Sequence, residues 1–189
     1  FRKSVKELLA AAKSGRIQLS GPCVPLADIL HLPEEHAAAV EAALGESVQS
    51  LVVESVEDAG ACLRYLRENN LGKVRFWISS LFGSPARRLD AGGAQAVVGH
   101  SLDLVPFDRR HENLVSHLLS AVFVVSDLDA ARASAAGSEP GATFVSPDGD
   151  MFVEAGALMA GSARKEASGI LTRDRQISAA GVQLEKLAG

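Results

Sequence analysis

Cysteine is nearly missing from this chain: Cys23 and Cys62 are the two it has among 189 residues. Two are too few for a disulfide framework or a four-ligand zinc site, and both read as small buried hydrophobes of a reducing compartment. Aromatics are almost as scarce, at 5% with one Trp and one Tyr beside seven Phe. No stacking platform for single-stranded nucleic acid is therefore evident, and Trp77 is expected in the core. No apolar run approaches the ~20 residues of a membrane span, and no signal-peptide pattern opens the sequence; the expectation is a soluble, cytoplasmic protein with no membrane partner. Charge of one sign is also missing. Lys and Arg number 19 against 23 Asp and Glu, a formal net charge of -4, which excludes a basic footprint over the whole surface but not a local patch.

Catalytic and ligand signatures are absent in the same way. His31 and His36 lie five apart, whereas a helical zinc pair needs a spacing of four, and His100, His111 and His117 show no pairing with an acid and a nucleophile. Gly92-Gly93 and Gly99 are followed by neither GK[ST] nor GxGxxG, so no phosphate loop is read. Gly161-Ser162-Ala163-Arg164 lacks the flanking glycine of a nucleophile elbow. No catalytic residue, cofactor or metal site is assigned, and the chain is not expected to be an enzyme. What is present is a globular composition, 47% hydrophobic and 22% charged, enough for one large domain or two small ones.

Both ends carry helical stripes. Val5, Leu8 and Ala12 follow a three-then-four spacing with Lys3, Lys6, Glu7 and Lys13 off the stripe, and Ser14-Gly15 supplies a stop. Ile177, Ala180, Leu184 and Leu187 repeat the spacing of a coiled-coil seam, weakened by Gly181. Either two surface helices pack on the domain, or both ends belong to a longer antiparallel coiled coil.

Between the ends lies an internal repeat. Leu26-Ala27-Asp28-Ile29-Leu30 precedes a helix over 35–44, the strand Val52-Val53 and a helix over 56–68; Leu102-Asp103-Leu104-Val105 precedes a helix over 112–119, the strand Val122-Phe123-Val124-Val125 and a helix over 128–135. His36 aligns with His111 at a separation of 75, and Val52-Val53 with Val124-Val125 at 72. Each copy closes on a strand, over 73–79 and 142–146. The spacing predicts an α+β fold of two pseudo-repeated subdomains, each a small sheet with helices against it. The boundary between the subdomains lies in the Gly-, Pro- and Arg-rich stretch 79–99.

After the second copy, Asp148-Gly149 stands between two apolar strands, a hairpin signal; the oxygen ligands of a calcium loop are missing. A series of small residues follows, Gly149, Gly156, Ala160, Gly161 and Ser162. Such residues either relieve local backbone strain or let another backbone approach, and the second alternative suits a subunit interface made by strand pairing.

Leu26-Ala27-Asp28-Ile29, Ala42-Ala43-Leu44-Gly45, Val52-Val53 and Ala59 with Tyr65-Leu66 resemble the hinge domain of SMC (structural maintenance of chromosomes) proteins, as do Asp148-Gly149-Asp150, the glycine series and Gly169-Ile170-Leu171 with Arg173. The likeness runs from about Ser20 to Arg175 and is nearest the prokaryotic condensin type. It departs at Ala160, where the family usually has the first of two glycines. The resemblance implies two pseudo-repeated subdomains, each a small mixed sheet with helices, flanked by N- and C-terminal coiled-coil stubs, and divided as 1–15 arm, 16–85 first subdomain, 86–99 linker, 100–168 second subdomain and 169–189 arm. It implies a homodimer, with Gly149, Gly156, Ala160, Gly161 and Ser162 at or near the interface, joining two coiled-coil arms of a chromosome condensation and segregation protein. It also implies weak DNA binding through basic residues, nucleoid association, and kleisin and accessory subunits engaged only by an ATP-binding head outside this sequence. Among basic groups, Arg87-Arg88 and Arg109-Arg110 read as ordinary solvated arginines. Arg164, Lys165, Arg173 and Arg175 are favoured for DNA because they fall together beside the coiled-coil root. The alternative function is a stand-alone α/β ligand-binding or regulatory domain.

Overall fold

The computed structural model describes residues 3–92, 96–135, 138–153 and 156–160. In chain order the elements are α1 (Lys3–Lys13), β1 (Val24–Pro25), α2 (Leu26–Ile29), α3 (Glu34–Leu44), β2 (Leu51–Val53), α4 (Val56–Glu68) and β3 (Phe76–Ile78). There follow β4 (Val97–His100), α5 (Ser101–Leu104), α6 (Glu112–Leu119), β5 (Val122–Val125), α7 (Leu128–Ala135), β6 (Thr143–Val145), β7 (Met151–Val153) and β8 (Ala157–Met159).

The two sheets repeat one pattern. In the first, β1 runs antiparallel to β2 and β3 parallel to it, with Val24 and Trp77 on either side of Val52. In the second, β4 runs antiparallel to β5 and β6 parallel to it, pairing Phe123 with Phe144. The central strands β2 and β5 are buried at every position. Strands flanked on both edges and covered on both faces need such continuous apolar runs. Among the described residues the second sheet alone continues, through the antiparallel strands β7 and β8.

The compact units interleave along the sequence. Residues up to His31, Leu44–Arg88 and Pro106–Ser120 form one; Leu32–Ala43, Leu89–Val105 and the chain from Ala121 onward form the other. The first unit thus holds the sheet of copy one but α6 from copy two. The second holds the sheet of copy two and, apart from its last residue, α3 from copy one.

In the first unit Val5, Leu8, Ala11, Leu51, Val53 and Cys62 share a buried cluster. α1 reaches it with Val5, Leu8 and Ala11; the expected stripe is corrected at its last position, since Ala12 is only half-buried. Gly15, at φ +72°, follows the helix in the left-handed conformation a C-terminal stop requires. Segment 106–108 is tied to 29–31: Leu30 bridges Phe107, and the His31 N–H donates to the Pro106 carbonyl at 2.7 Å. Against α6, the Asn113 amide donates to the Phe82 carbonyl and the Ala86 N–H to the Ser116 hydroxyl, both at 2.8 Å.

Two burial expectations are corrected. Cys62 is buried but Cys23 is half-exposed. Trp77 is half-buried rather than a core residue, its ring 6.2 Å from that of Phe82. β3 is the outer strand of its sheet, so only one edge of it is covered.

In the second unit Phe123 stacks on Phe144 at 5.3 Å, within a cluster that takes in Val125, Ala131 and Ala142. The expected C-terminal stripe, Ile177 to Leu187, lies outside the described residues.

Candidate self-association edge

The chain builds its second sheet outward by two tight turns. In the first, the Gly149 N–H donates to the Ser146 carbonyl at 2.9 Å and the Ser146 N–H to the Asp150 carbonyl at 2.8 Å. Gly149 takes φ +86°, and a Cβ placed on it would stand 3.5 Å from the Ala42 Cβ of α3. In the second, the Gly156 N–H donates to the Val153 carbonyl at 2.8 Å. Gly156 takes φ +91°, and a Cβ there would meet open space. Positive φ of this kind is adopted freely by glycine and rarely by other residues. Within the chain, backbone conformation accounts for both glycines, and at Gly149 the Cβ position lies at ordinary contact distance from Ala42.

These turns deliver β8 to the sheet edge with all three residues exposed, Leu158 at 55% and Met159 at 60%. β8 pairs with β7 on one side and, among the described residues, with nothing on the other. A bare edge with apolar side chains is a template for pairing with another strand. The register Met151↔Met159 brings Ala160, itself exposed, to the end of the ribbon where Asp150 and Gly149 lie, and leaves Gly156 at the opposite end. Gly161 and Ser162 lie outside the described residues, as do Arg164, Lys165, Arg173 and Arg175. The edge strand itself was missed in the sequence: three residues, Ala157-Leu158-Met159, are too short for a period to register.

Asp108, Arg110, His100 and His117 are engaged in local structure. The Arg110 guanidinium forks onto Asp108, with Nε 3.0 Å from Oδ2, and holds that carboxyl down to about 2. Arg87 and Arg88 are exposed and each has a partner. His100 is buried, accepts the Leu102 N–H at Nδ1 and sets its ring edge against Phe123. His117 pairs through Nδ1 with the Asn113 carbonyl at 2.8 Å. Burial lowers the His111 pKa against the pull of the Asp108 charge. Among the described residues no three His, Cys, Asp or Glu side chains cluster as metal ligands, and no helix is long and apolar enough to cross a membrane.

Repeated β-α-α-β-α-β units, extended on one side by a hairpin whose apolar edge is uncovered among the described residues, define a class of paired-repeat α/β domain. The chain belongs to the SMC hinge family, since residues 19–135 match the family described as the SMC proteins Flexible Hinge Domain. Over 179 residues it is 30% identical to the chromosome partition protein Smc of Desulfitobacterium hafniense, covering 94% of this chain. It is 28% identical over 166 residues to that of Methanocaldococcus jannaschii, covering 87%. The chain spans only 15% and 13% of those two relatives. An asymmetric dimer of the Geobacillus stearothermophilus SMC hinge domain superposes with a TM-score of 0.81 at 29% identity, over 100% of this chain and 75% of that one. A Pyrococcus furiosus SMC hinge, at 24% identity and TM-score 0.65 over 86% of this chain and 93% of that one, shares the fold. As a hinge, the domain is structural and not an enzyme.

Proposed function

We propose that the chain is the dimerisation hinge of a chromosome-partition protein, pairing with a second copy of itself and joining two coiled-coil arms, at 1–15 and 169–189, into a ring or V. The observation that carries this reading is the exposed apolar β8 edge beside Ala160. The likeness to a hinge described as a dimer supports it. Closed two-fold pairing of such an edge removes the aggregation hazard that an open one carries. Gly149, Gly156, Ala160, Gly161 and Ser162 lie at or near the interface. Kleisin and accessory subunits engage the ATP-binding head of the full-length protein, which works in the cytoplasm on the nucleoid.

Light scattering across a dilution series tests the pairing. The expected mass is stable near twice 19.8 kDa. The double variant Leu158→Lys/Met159→Lys is expected to be monomeric with an unchanged circular dichroism spectrum. A wild-type monomer at high micromolar concentration, or a double variant that stays dimeric at micromolar concentration, overturns the reading.

Arg164, Lys165, Arg173 and Arg175 give the hinge a weak, local hold on DNA phosphates. Each neutralised phosphate contributes about -0.9 to the slope of log affinity against log salt. Replacing all four by Gln is expected to flatten that slope by about 3–4. An unchanged slope removes these residues from the DNA surface.

A further inference from the structure

We propose that the outward face of α4 is a second self-association surface, on which α4 of another copy lies antiparallel about a two-fold axis at Gly60. This contact is separate from the β8 edge and does not depend on pairing there.

α4 turns Asp58, Cys62 and Leu66 into the first unit. On its far side Val56 is 53% exposed and Leu63 44%. Of the six most exposed large hydrophobics among the described residues, α4 carries these two and no other α-helix carries any. At 3.6 residues per turn, Val56, Gly60 and Leu63 lie within an arc of about 60°. A glycine in mid-helix is unfavourable, and neither a special φ nor a crowding neighbour calls for one at Gly60. Its φ is not positive, and apart from the helix's own backbone a Cβ there would meet only the Arg64 Nη1, at 3.8 Å. The missing side chain does leave room for a second backbone to come close along this stripe.

The charges beside the stripe fit a copy of the same helix. Glu57 and Arg64 are exposed and stand on one flank of it, within about 20° of each other around the helix. A two-fold axis through Gly60, perpendicular to the helix, makes the two helices antiparallel and brings equivalent flanks to the same side. At 1.5 Å per residue, Val56 stands about 6 Å before Gly60 and Leu63 about 4.5 Å beyond it, so Val56 lies almost level with the partner's Leu63. Glu57 stands about 4.5 Å before the axis and Arg64 about 6 Å beyond it, so Glu57 faces the partner's Arg64. The helix is therefore complementary to its own inverted copy, with two apolar pairs beside the axis and two opposite-charge pairs along one flank. A parallel two-fold pair puts the charged flanks on opposite sides and satisfies neither. One helix face falls well short of the ~1,200–2,000 Å² of a stable interface. The contact is thus weak between free chains and is strengthened where copies are held close together. A hinge dimer carries the surface once on each chain, so the contact links dimer to dimer.

Sedimentation velocity of the 189-residue chain, from low micromolar to near-millimolar concentration, tests the contact. The wild type is expected to rise above its low-concentration mass at the upper end. Leu158→Lys/Met159→Lys, which removes the β8 edge, is expected to go from monomer to dimer over the same range, so the two contacts are read separately. Leu63→Glu is expected to abolish the rise. Glu57→Arg and Arg64→Glu, which set like charges against each other, should each suppress it, and the double variant Glu57→Arg/Arg64→Glu should recover it with the signs exchanged. Circular dichroism and melting temperature check that each variant keeps its fold; should Leu63→Glu not fold, the charge variants suffice. The proposal is overturned if the wild-type mass does not rise, if Leu63→Glu or the single charge variants associate as the wild type does, or if the double charge variant fails to regain what the single ones lose.

Discussion

The Asp58 carboxylate is 3% exposed and serves two partners at once. Ser55 caps α4 by accepting the Asp58 N–H at 3.1 Å, and Asp58 in turn takes both donors of Ser20. Burial pushes the Asp58 pKa up, but hydrogen bonds from Ser20 and Ser55 outweigh it and the net direction is down. A carboxyl that ionises at lower pH in the native state than in the unfolded chain stabilises the fold above the unfolded value of about 4. That contribution is lost as pH falls through the native value. Asp58→Asn is therefore expected to lower stability at pH 7 by about 1–3 kcal/mol, the cost of breaking such a hydrogen-bond set. The deficit should shrink as the wild type is titrated into acid, read by urea denaturation across pH; a deficit independent of pH refutes the assignment. The pairing of Ser55 with Asp58 is legible in the sequence as a capping pattern. The contribution of Ser20, 38 residues away, is not.

At the scale of elements, periodicity located what was long enough to carry a period. The helices expected over 56–68, 112–119 and 128–135 match α4, α6 and α7, and the Asp148-Gly149 hairpin forms as its turn chemistry demands. β8 escaped because its three residues gain their meaning from lying at an edge. The two turn glycines separate strain from packing. Both take positive φ, which costs an ordinary residue about 1–2 kcal/mol. Only at Gly149 would the Cβ also lie beside a neighbour, at ordinary contact distance from Ala42 in α3, so that the γ methyls of a valine have less room there. Gly149→Val is thus expected to destabilise more than Gly156→Val, measured by chemical denaturation of both; equal losses would mean that packing on α3 contributes nothing. Gly156→Val is a poor probe of dimerisation for the same reason, since it strains the turn whatever lies outside it. Leu158 and Met159 report on the edge without disturbing the backbone.

At the scale of the whole chain, the repeat was visible from His36 and His111 and from the paired valines, because equivalent elements keep similar spacing. Which sheet each helix serves was not visible, because spacing records that a helix exists and not what it covers. Residues 106–120, with α6, belong to the unit built on the first sheet, and residues 32–43, with most of α3, to the unit built on the second. Cutting the chain between Arg88 and Leu89 therefore leaves each fragment without a helix of its own unit. α6 buries Leu114, Val115 and Leu119, and each such side chain stabilises by about 1.5–3 kcal/mol when fully buried. Their sum is comparable with the whole stability of an ordinary domain, about 5–15 kcal/mol. Fragment 1–88 alone is expected to show helical circular dichroism without a cooperative thermal transition, and fragment 89–189 likewise. Mixed in equal amounts, the two should regain a single transition, because each supplies the segment the other lacks. If 1–88 melts cooperatively by itself, the first sheet has a sufficient core without α6, and the interleaving of the two units is dispensable for folding.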